Sequence, residues 1–399
     1  MSVANTVAGG HPNRVSARAQ SVPWSPIRTM MGLAASMPDV ISFTVGQPDY
    51  NTPRHIVDAC KVALEAGHTR YGPALGIPEL RQAVARKLKR VNGIQADPET
   101  QIIITVGAQE AIMLAMLVLL DPGDEVIMQN PIYTNYHGHV PLVNAKLVLV
   151  PAREENGFMM NAGDIEAAIT DRTRVLLLNS PCNPTGAVAS RGTLESYARL
   201  AQKHDLIVIS DEAYETLVYG DTEQISIATL PGMAERTVSI YTFSKSYAMT
   251  GWRVGYLTGP ADIVDQAHKI QEEVVSCPVT FVQHGAVAAL DGPQDCITEM
   301  VAEYDRRRRF CLDAIRSIDG VTCVEPEGAF YLLANVASFG LSSTDLAMHL
   351  LENAAVATVP GSAFGSGGEG FLRLCYGSVA IDRLGEGMER LRKGLGMLR

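Results

Sequence analysis

Between residues 100 and 260, short apolar runs alternate with helix-like stretches, and this alternation restricts the fold more than any other feature of the chain. Residues 101–106, 125–129, 146–150, 174–179, 206–210 and 237–241 each have the length and apolar content of a strand buried on both faces. Residues 111–120 and 193–204 have helical spacing between them. Parallel strands need long crossover connections, so the pattern predicts an α/β fold with a mostly parallel sheet covered on both sides. In such a sheet functional residues gather at the carboxyl ends of the strands.

The chain, 399 residues long and 47% hydrophobic, can bury one large and one smaller core. Residues 1–45 carry turn signals at Pro23, Pro26 and Pro38 and read as an extended N-terminal arm. No acid occurs before Asp39, while Arg14, Arg18 and Arg28 stand among serines; we read a basic arm in preference to a targeting segment. Residues 46–285 are expected to form the large domain. Residues 286–399, with a charged helix over 299–315 and short strands near 329–333 and 371–376, are expected to form a small α+β domain. Ahead of the first sheet strand, Pro78 opens a helix with the apolar stripe Leu80, Val84, Leu88 and Val91.

A formal net charge of −10 argues against nucleic acid or an acidic membrane as partner, but leaves small anions open. The seven cysteines are scattered without a CxxC pair, which fits a reducing, cytoplasmic setting and offers no metal site. The longest apolar run, 111–120, is too short to span a bilayer. Arg306 to Arg309 read as a solvated helix face. Residues 365–370 fit GxGxxG but precede a strand, the wrong context for a dinucleotide, and read as a flexible surface loop.

Lys245 lies between the hydroxyls of Thr242, Ser244 and Ser246, with Arg253 eight positions on. A lysine acting as a nucleophile must lose its proton, and it reacts usefully with a carbonyl to form a Schiff base. Hydroxyls and an arginine beside it suit a phosphate, so the group points to pyridoxal phosphate; taken alone, the same residues also describe an exposed turn. Gly107-Ala108-Gln109 stands where a strand enters a helix, a place where free N–H groups can hold a phosphate. Asn183 and Asp211 each follow a strand.

In chain order Gly46, Tyr71, Gly107-Ala-Gln109, Tyr133, Asn183-Pro-Thr-Gly186, Asp211-Glu-Ala-Tyr214, Ser244-Lys245, Arg253 and Arg373 resemble the class I aminotransferases of the fold type I pyridoxal phosphate enzymes. The resemblance runs from Ile41 to the C-terminus and implies a large domain with a mostly parallel seven-stranded sheet. It implies that Lys245 carries the cofactor as a Schiff base and moves protons, that Asp211 pairs with the pyridine nitrogen, and that Asn183 and Tyr214 bind the phenolic oxygen. Tyr133 would stack on the ring. Gly107, Ala108, Gln109, Thr242, Ser244 and Arg253 would hold the phosphate, with Tyr71 reaching over from the partner of a homodimer. Arg373 would grip the substrate α-carboxylate, assisted by Asn183 and Gly46.

In aspartate aminotransferases with the most similar motifs, a lysine occupies the position of Gln109 and reads the distal carboxylate. Its absence here favours aromatic or aliphatic donors, with 2-oxoglutarate as acceptor, in a ping-pong transamination. Trp24 to Arg28 would line the side-chain pocket, where Arg28 could still supply a distal charge. An aspartate-type transaminase, a β-eliminating carbon–sulfur lyase and a non-catalytic cofactor-sensing module are the alternatives on the same scaffold.

Overall fold

The computed structural model describes residues 14–399, and residues 1–13 of the expected arm lie outside the described residues. In place of the extended arm that the proline spacing predicts, the chain opens with two helices, Ala17–Ser21 and Pro26–Ser36. Pro26 sits at the start of the second, where a missing N–H leaves no intrahelical bond unmade. Met30 and Ala34, four apart on that helix, are buried against the C-terminal part of the chain.

After β1 (Ile41–Ser42) come the strands of the main sheet: β2 (Ile102–Thr105), β3 (Glu125–Asn130), β4 (Lys146–Pro151), β5 (Thr173–Asn179), β6 (Ile207–Asp211), β7 (Thr237–Thr242) and β8 (Gly255–Thr258). Their order is β2-β8-β7-β6-β5-β3-β4. β3 to β7 are mutually parallel, and β8 runs antiparallel to both of its neighbours. The period of two along each strand divides its residues between two cores. Val126, Met128, Val175 and Leu177 face the helix Ala108–Leu119, while Ile127, Leu176 and Val208 face the helix Arg191–Lys203. A slip of one residue would exchange the two faces, so burial on both sides holds the register.

Helix Pro78–Lys87 buries Leu80 and Val84 as its stripe predicts, and Leu88 follows them into the core. Val91 does not; it is 55% exposed. The backbone widens into a π-turn over Leu88–Asn92, which rotates Val91 outward before Gly93 closes the turn at φ 71°.

The C-terminal part contributes β9 (Thr322–Cys323), β10 (Tyr331–Asn335), β11 (Val356–Ala357), β12 (Val359–Pro360) and β13 (Phe371–Cys375). β12-β13-β10-β9 form an antiparallel sheet packed by the helices Asp295–Arg316, Ser343–Ala354 and Ile381–Gly396. β1 pairs in parallel with β11, and Ile41 and Phe43 enter the same core. The molecule is thus an α/β fold with a seven-stranded, mostly parallel sheet and a smaller α+β layer.

Two surface expectations are corrected. Within the arginine run, Arg306 and Arg309 are exposed, but Arg307 and Arg308 are buried. Arg307 donates to Asp49 Oδ2 at 2.9 Å, to Glu303 Oε1 at 2.8 Å and to the Val379 carbonyl at 3.1 Å. The run spans a full helical turn, so half of it must face inward. The 365–370 segment does lie at the surface, with Ser366, Gly367 and Glu369 exposed, but it is tied down: the Gly367 N–H donates to Asn130 Oδ1 at 2.9 Å, and a Cβ at Gly368 would collide with the Gly361 backbone. Its glycines permit close approach of backbone to backbone.

Candidate active site

Loops leaving the carboxyl ends of β2, β3, β5, β6 and β7 enclose a cavity of about 260 Å³. Lys245 reaches it from a single helical turn, Phe243–Ser246, three residues past the end of β7. Thr242 caps that turn: its Oγ1 accepts from the Ser244 N–H at 3.2 Å and donates to Ser244 Oγ at 2.9 Å. Lys245 Nζ donates to the Gly46 carbonyl at 2.6 Å, and the rings of Tyr214 and Phe330 lie 5.8 Å away. Burial pushes its pKa from the usual 10.5 down to about 8, and the positive charges of Arg253 and Arg373 act in the same direction against Cys375 and Asp211.

Asp211, the last residue of β6, accepts from the Ala213 N–H at 3.1 Å and from Tyr136 Oη. Burial pushes its carboxyl up, while these two donors and the charge on Lys245 pull it down. Among the described residues it is the only acid lining the cavity, against three cations, Lys245, Arg253 and Arg373. The cavity therefore favours anions.

At the β2 end, Gly107 has φ 78°, and a Cβ there would meet Arg253 Nη2 at 2.6 Å. The positive φ calls for glycine, and any side chain there would also push the Arg253 guanidinium aside. The helix Ala108–Leu119 starts immediately afterwards, so the N–H groups of Ala108 and Gln109 belong to its unpaired first turn. Arg253 holds a left-handed φ of 54° and donates to the Thr250 carbonyl at 3.0 Å. A non-glycine residue in that conformation is strained, as residues that clamp ligands often are. Helix N–H groups, a guanidinium and the hydroxyls of Thr242 and Ser244 are the donor set a phosphate requires.

Arg373, on β13, is 1% exposed, and no carboxylate among the described residues pairs with it. It donates to Asn183 Oδ1 at 3.1 Å and to the Thr44 carbonyl, and its guanidinium lies over the rings of Tyr331 at 4.6 Å and Phe364 at 5.1 Å. Its Nε is buried without a partner. A buried cation left without an anion costs several kcal/mol, which a ligand carboxylate would relieve. Asn183 is oriented by its N–H, which donates to Asn179 Oδ1 at 2.9 Å.

Tyr133 lines the cavity edge-on to Tyr136, with ring centres 5.5 Å apart. Gln109 Oε1 accepts from Asn135 Nδ2 at 3.0 Å, so a neutral amide pair stands at this wall. Tyr214 also lines the cavity, and its hydroxyl contacts Tyr331 Oη at 2.7 Å. Tyr71 is not brought to the cavity of its own chain; it is 91% exposed, beside Pro278 and Phe281. From the expected arm Ile27 and Val45 line the cavity, whereas Trp24 borders a neighbouring cleft and Arg28 is exposed.

Three functional neighbours escape a reading of the sequence: Tyr136, Tyr331 and the Thr44 carbonyl. Tyr136 has a faint signal, since it stands three residues after Tyr133, across the turn that leads into its helix. The other two have none, because they become neighbours only through packing.

A mostly parallel seven-stranded sheet that opens its carboxyl edge onto a half-buried lysine defines an enzyme of the fold type I pyridoxal phosphate class. The family described as "Aminotransferase class I and II" matches residues 38–391. An aspartate aminotransferase of Pyrococcus abyssi is 44% identical over 383 residues, covering 96% of this chain and 98% of its own. Aromatic-amino-acid aminotransferase 2 of Thermococcus litoralis is 42% identical with the same coverage. The crystal structure of an aromatic aminotransferase from Pyrococcus horikoshii aligns with a TM-score of 0.88 at 43% identity, covering 92% of this chain and 99% of its own. The chain belongs to the class I and II aminotransferases, a family that in general depends on pyridoxal phosphate, and it is a transaminating enzyme. Among the described residues no helix is long and apolar enough to cross a membrane.

Proposed function

We propose that this enzyme transfers the amino group of an aromatic or aliphatic L-amino acid to a 2-oxo acid, 2-oxoglutarate foremost, with pyridoxal phosphate held in the cavity around Lys245. One observation carries the reading: a half-buried amine, with its pKa near 8, opens onto the same cavity as an acid-free arginine and a phosphate-type donor set. Bound pyridoxal phosphate supplies an aldehyde that condenses with amines and a ring that takes up the electrons released at the substrate α-carbon.

The chain's own groups divide the remaining work. Lys245 Nζ, neutral in a substantial fraction near pH 8, takes a proton from the α-carbon and returns it elsewhere. Asp211 keeps a protonated ring nitrogen paired with a negative charge, and Tyr136 and the Ala213 N–H hold it in place. Tyr214 Oη and the side-chain amide of Asn183 donate to a phenolic oxygen. Gly107, Ala108, Gln109, Thr242, Ser244 and Arg253 would hold the phosphate, and Tyr133 would pack on the ring. Arg373 grips the α-carboxylate through its planar fork, with Gly46 beside it. Tyr71 completes the site of the partner subunit in a homodimer, which is consistent with its exposure.

The donor preference is supported by the neutral Gln109–Asn135 pair, which offers no charge to a distal carboxylate. The relatives include both aspartate and aromatic enzymes, so the donor needs its own test. A panel of L-amino acids with 2-oxoglutarate should give higher kcat/KM for phenylalanine, tyrosine or leucine than for aspartate. A preference for aspartate would refute the donor assignment, and a Lys245→Ala variant that still turns over would refute the site.

A further inference from the structure

We propose that Tyr331 is a positioning residue that couples the carboxylate-binding arginine to the cofactor-facing tyrosine, an inference that rests on the site assignment above. Tyr331 lies on β10, 1% exposed, and meets three parts of the site, Tyr214 and Gly46 through its hydroxyl and Arg373 through its ring.

The hydroxyl comes first. Its only hydrogen bond among the described residues is to Tyr214 Oη, at 2.7 Å. A phenol has one proton to donate. If Tyr214 donates into the cavity, it can bond Tyr331 only by accepting, so the Tyr331 proton is committed to Tyr214 Oη. Accepting that bond polarises the Tyr214 O–H and strengthens it as a donor.

The ring comes second. The Arg373 guanidinium lies 4.6 Å from its centre, with Phe364 as a second face at 5.1 Å. Sheet register fixes this geometry: Arg373 of β13 is opposite Leu333 of β10, and Tyr331 is two residues along the same face. An arginine held between two rings keeps its charge and its orientation without an acid that would compete for it.

The space around the hydroxyl comes third. A Cβ at Gly46 would overlap Tyr331 Oη, yet Gly46 does not have the positive φ that would demand glycine. Gly46 is therefore small to make room for this hydroxyl, and its carbonyl receives the Lys245 amine. Tyr214 follows β6 while Tyr331 and Arg373 belong to the C-terminal sheet, so the hydroxyl pair spans the two halves of the molecule.

The test uses full-length protein loaded with pyridoxal phosphate, titrating the visible band of the lysine-bound cofactor against pH. Y331F, which keeps the ring, should raise the midpoint by roughly half a pH unit, the size of one modest hydrogen bond. In a Y214F background the same change should add nothing. For the unreactive monocarboxylate 3-phenylpropionate, Y331F should bind about as the parent does, whereas Y331L should bind roughly five- to tenfold more weakly. A Y331F midpoint equal to that of the parent, or a shift that persists undiminished without Tyr214, would overturn the hydroxyl link. Parent-like carboxylate binding by Y331L would overturn the ring link. A parent protein that develops no visible band would overturn the site assignment itself, and this proposal with it.

Discussion

A lysine amine enclosed by Tyr214, Phe330 and two arginines is easier to bury neutral than charged, and Lys245 carries that preference into the stability of the whole chain. Its folded value near 8 lies below the ordinary 10.5, so between those two pH values the unfolded chain binds more protons than the folded one. Stability rises with pH across that window, and below pH 8 the full penalty, roughly 3 kcal/mol, is present. Cofactor-free Lys245→Met should therefore be more stable than the parent at pH 7.5, with the gap closing towards pH 10.5. Urea midpoints that stay equally far apart at both ends of the window would contradict this. Tyr136 makes a second residue-scale case. Among the described residues it is the only side-chain donor to the buried Asp211 carboxylate, so Tyr136→Phe should lower stability by about 1–3 kcal/mol, read from urea unfolding. Lys245 and Asp211 could be found from the sequence because each stands at or just past the end of a strand, a local relation. The donor to Asp211 could not, since the two residues stand 75 positions apart.

At the scale of single elements, periodicity located strands and helices well and misjudged their faces where the backbone departed from ideal geometry. The π-turn at Leu88–Asn92 displaced Val91 from its stripe, and no apolar count could have foreseen that. Helix Asp295–Arg316 shows the same limit in charge. Four consecutive arginines read as one solvated face, yet successive positions step about 100° around a helix, so a run of four sweeps about 300° and cannot all lie on one side. Arg307 turns inward to join Asp49 and Glu303, and Arg306 turns outward. Arg307→Met should destabilise by about 1–3 kcal/mol because it strands the buried Tyr376 and Val379 carbonyls and takes a cation from Asp49 and Glu303. Arg306→Ala should change stability by no more than about 0.5 kcal/mol, as exposed pairs do. Thermal unfolding of the two variants side by side decides the matter, and equal effects would refute the distinction.

Over the whole molecule, the segment before the main sheet is built into the core formed by the C-terminal part, through Met30, Ile41 and Phe43 and through the β1–β11 pair. Tyr71 takes no part in that core and stands exposed on its own chain. If it serves the partner's site, mixing inactive Tyr71→Ala and Lys245→Ala subunits should restore activity that neither has alone, because one site of each hybrid pair is intact. Mixtures that stay inactive after verified subunit exchange would speak against shared sites. The sequence alone determined the alternation of strands and helices, the strand ends where Asn183, Asp211 and Lys245 stand, and the family, because period and strand-end position are local properties. Only the tertiary structure decided which distant groups meet: Tyr331 with Tyr214 across 117 residues, and Arg373 with Asn183 across 190. Such pairs depend on how two sheets pack, and packing is a property of the whole chain.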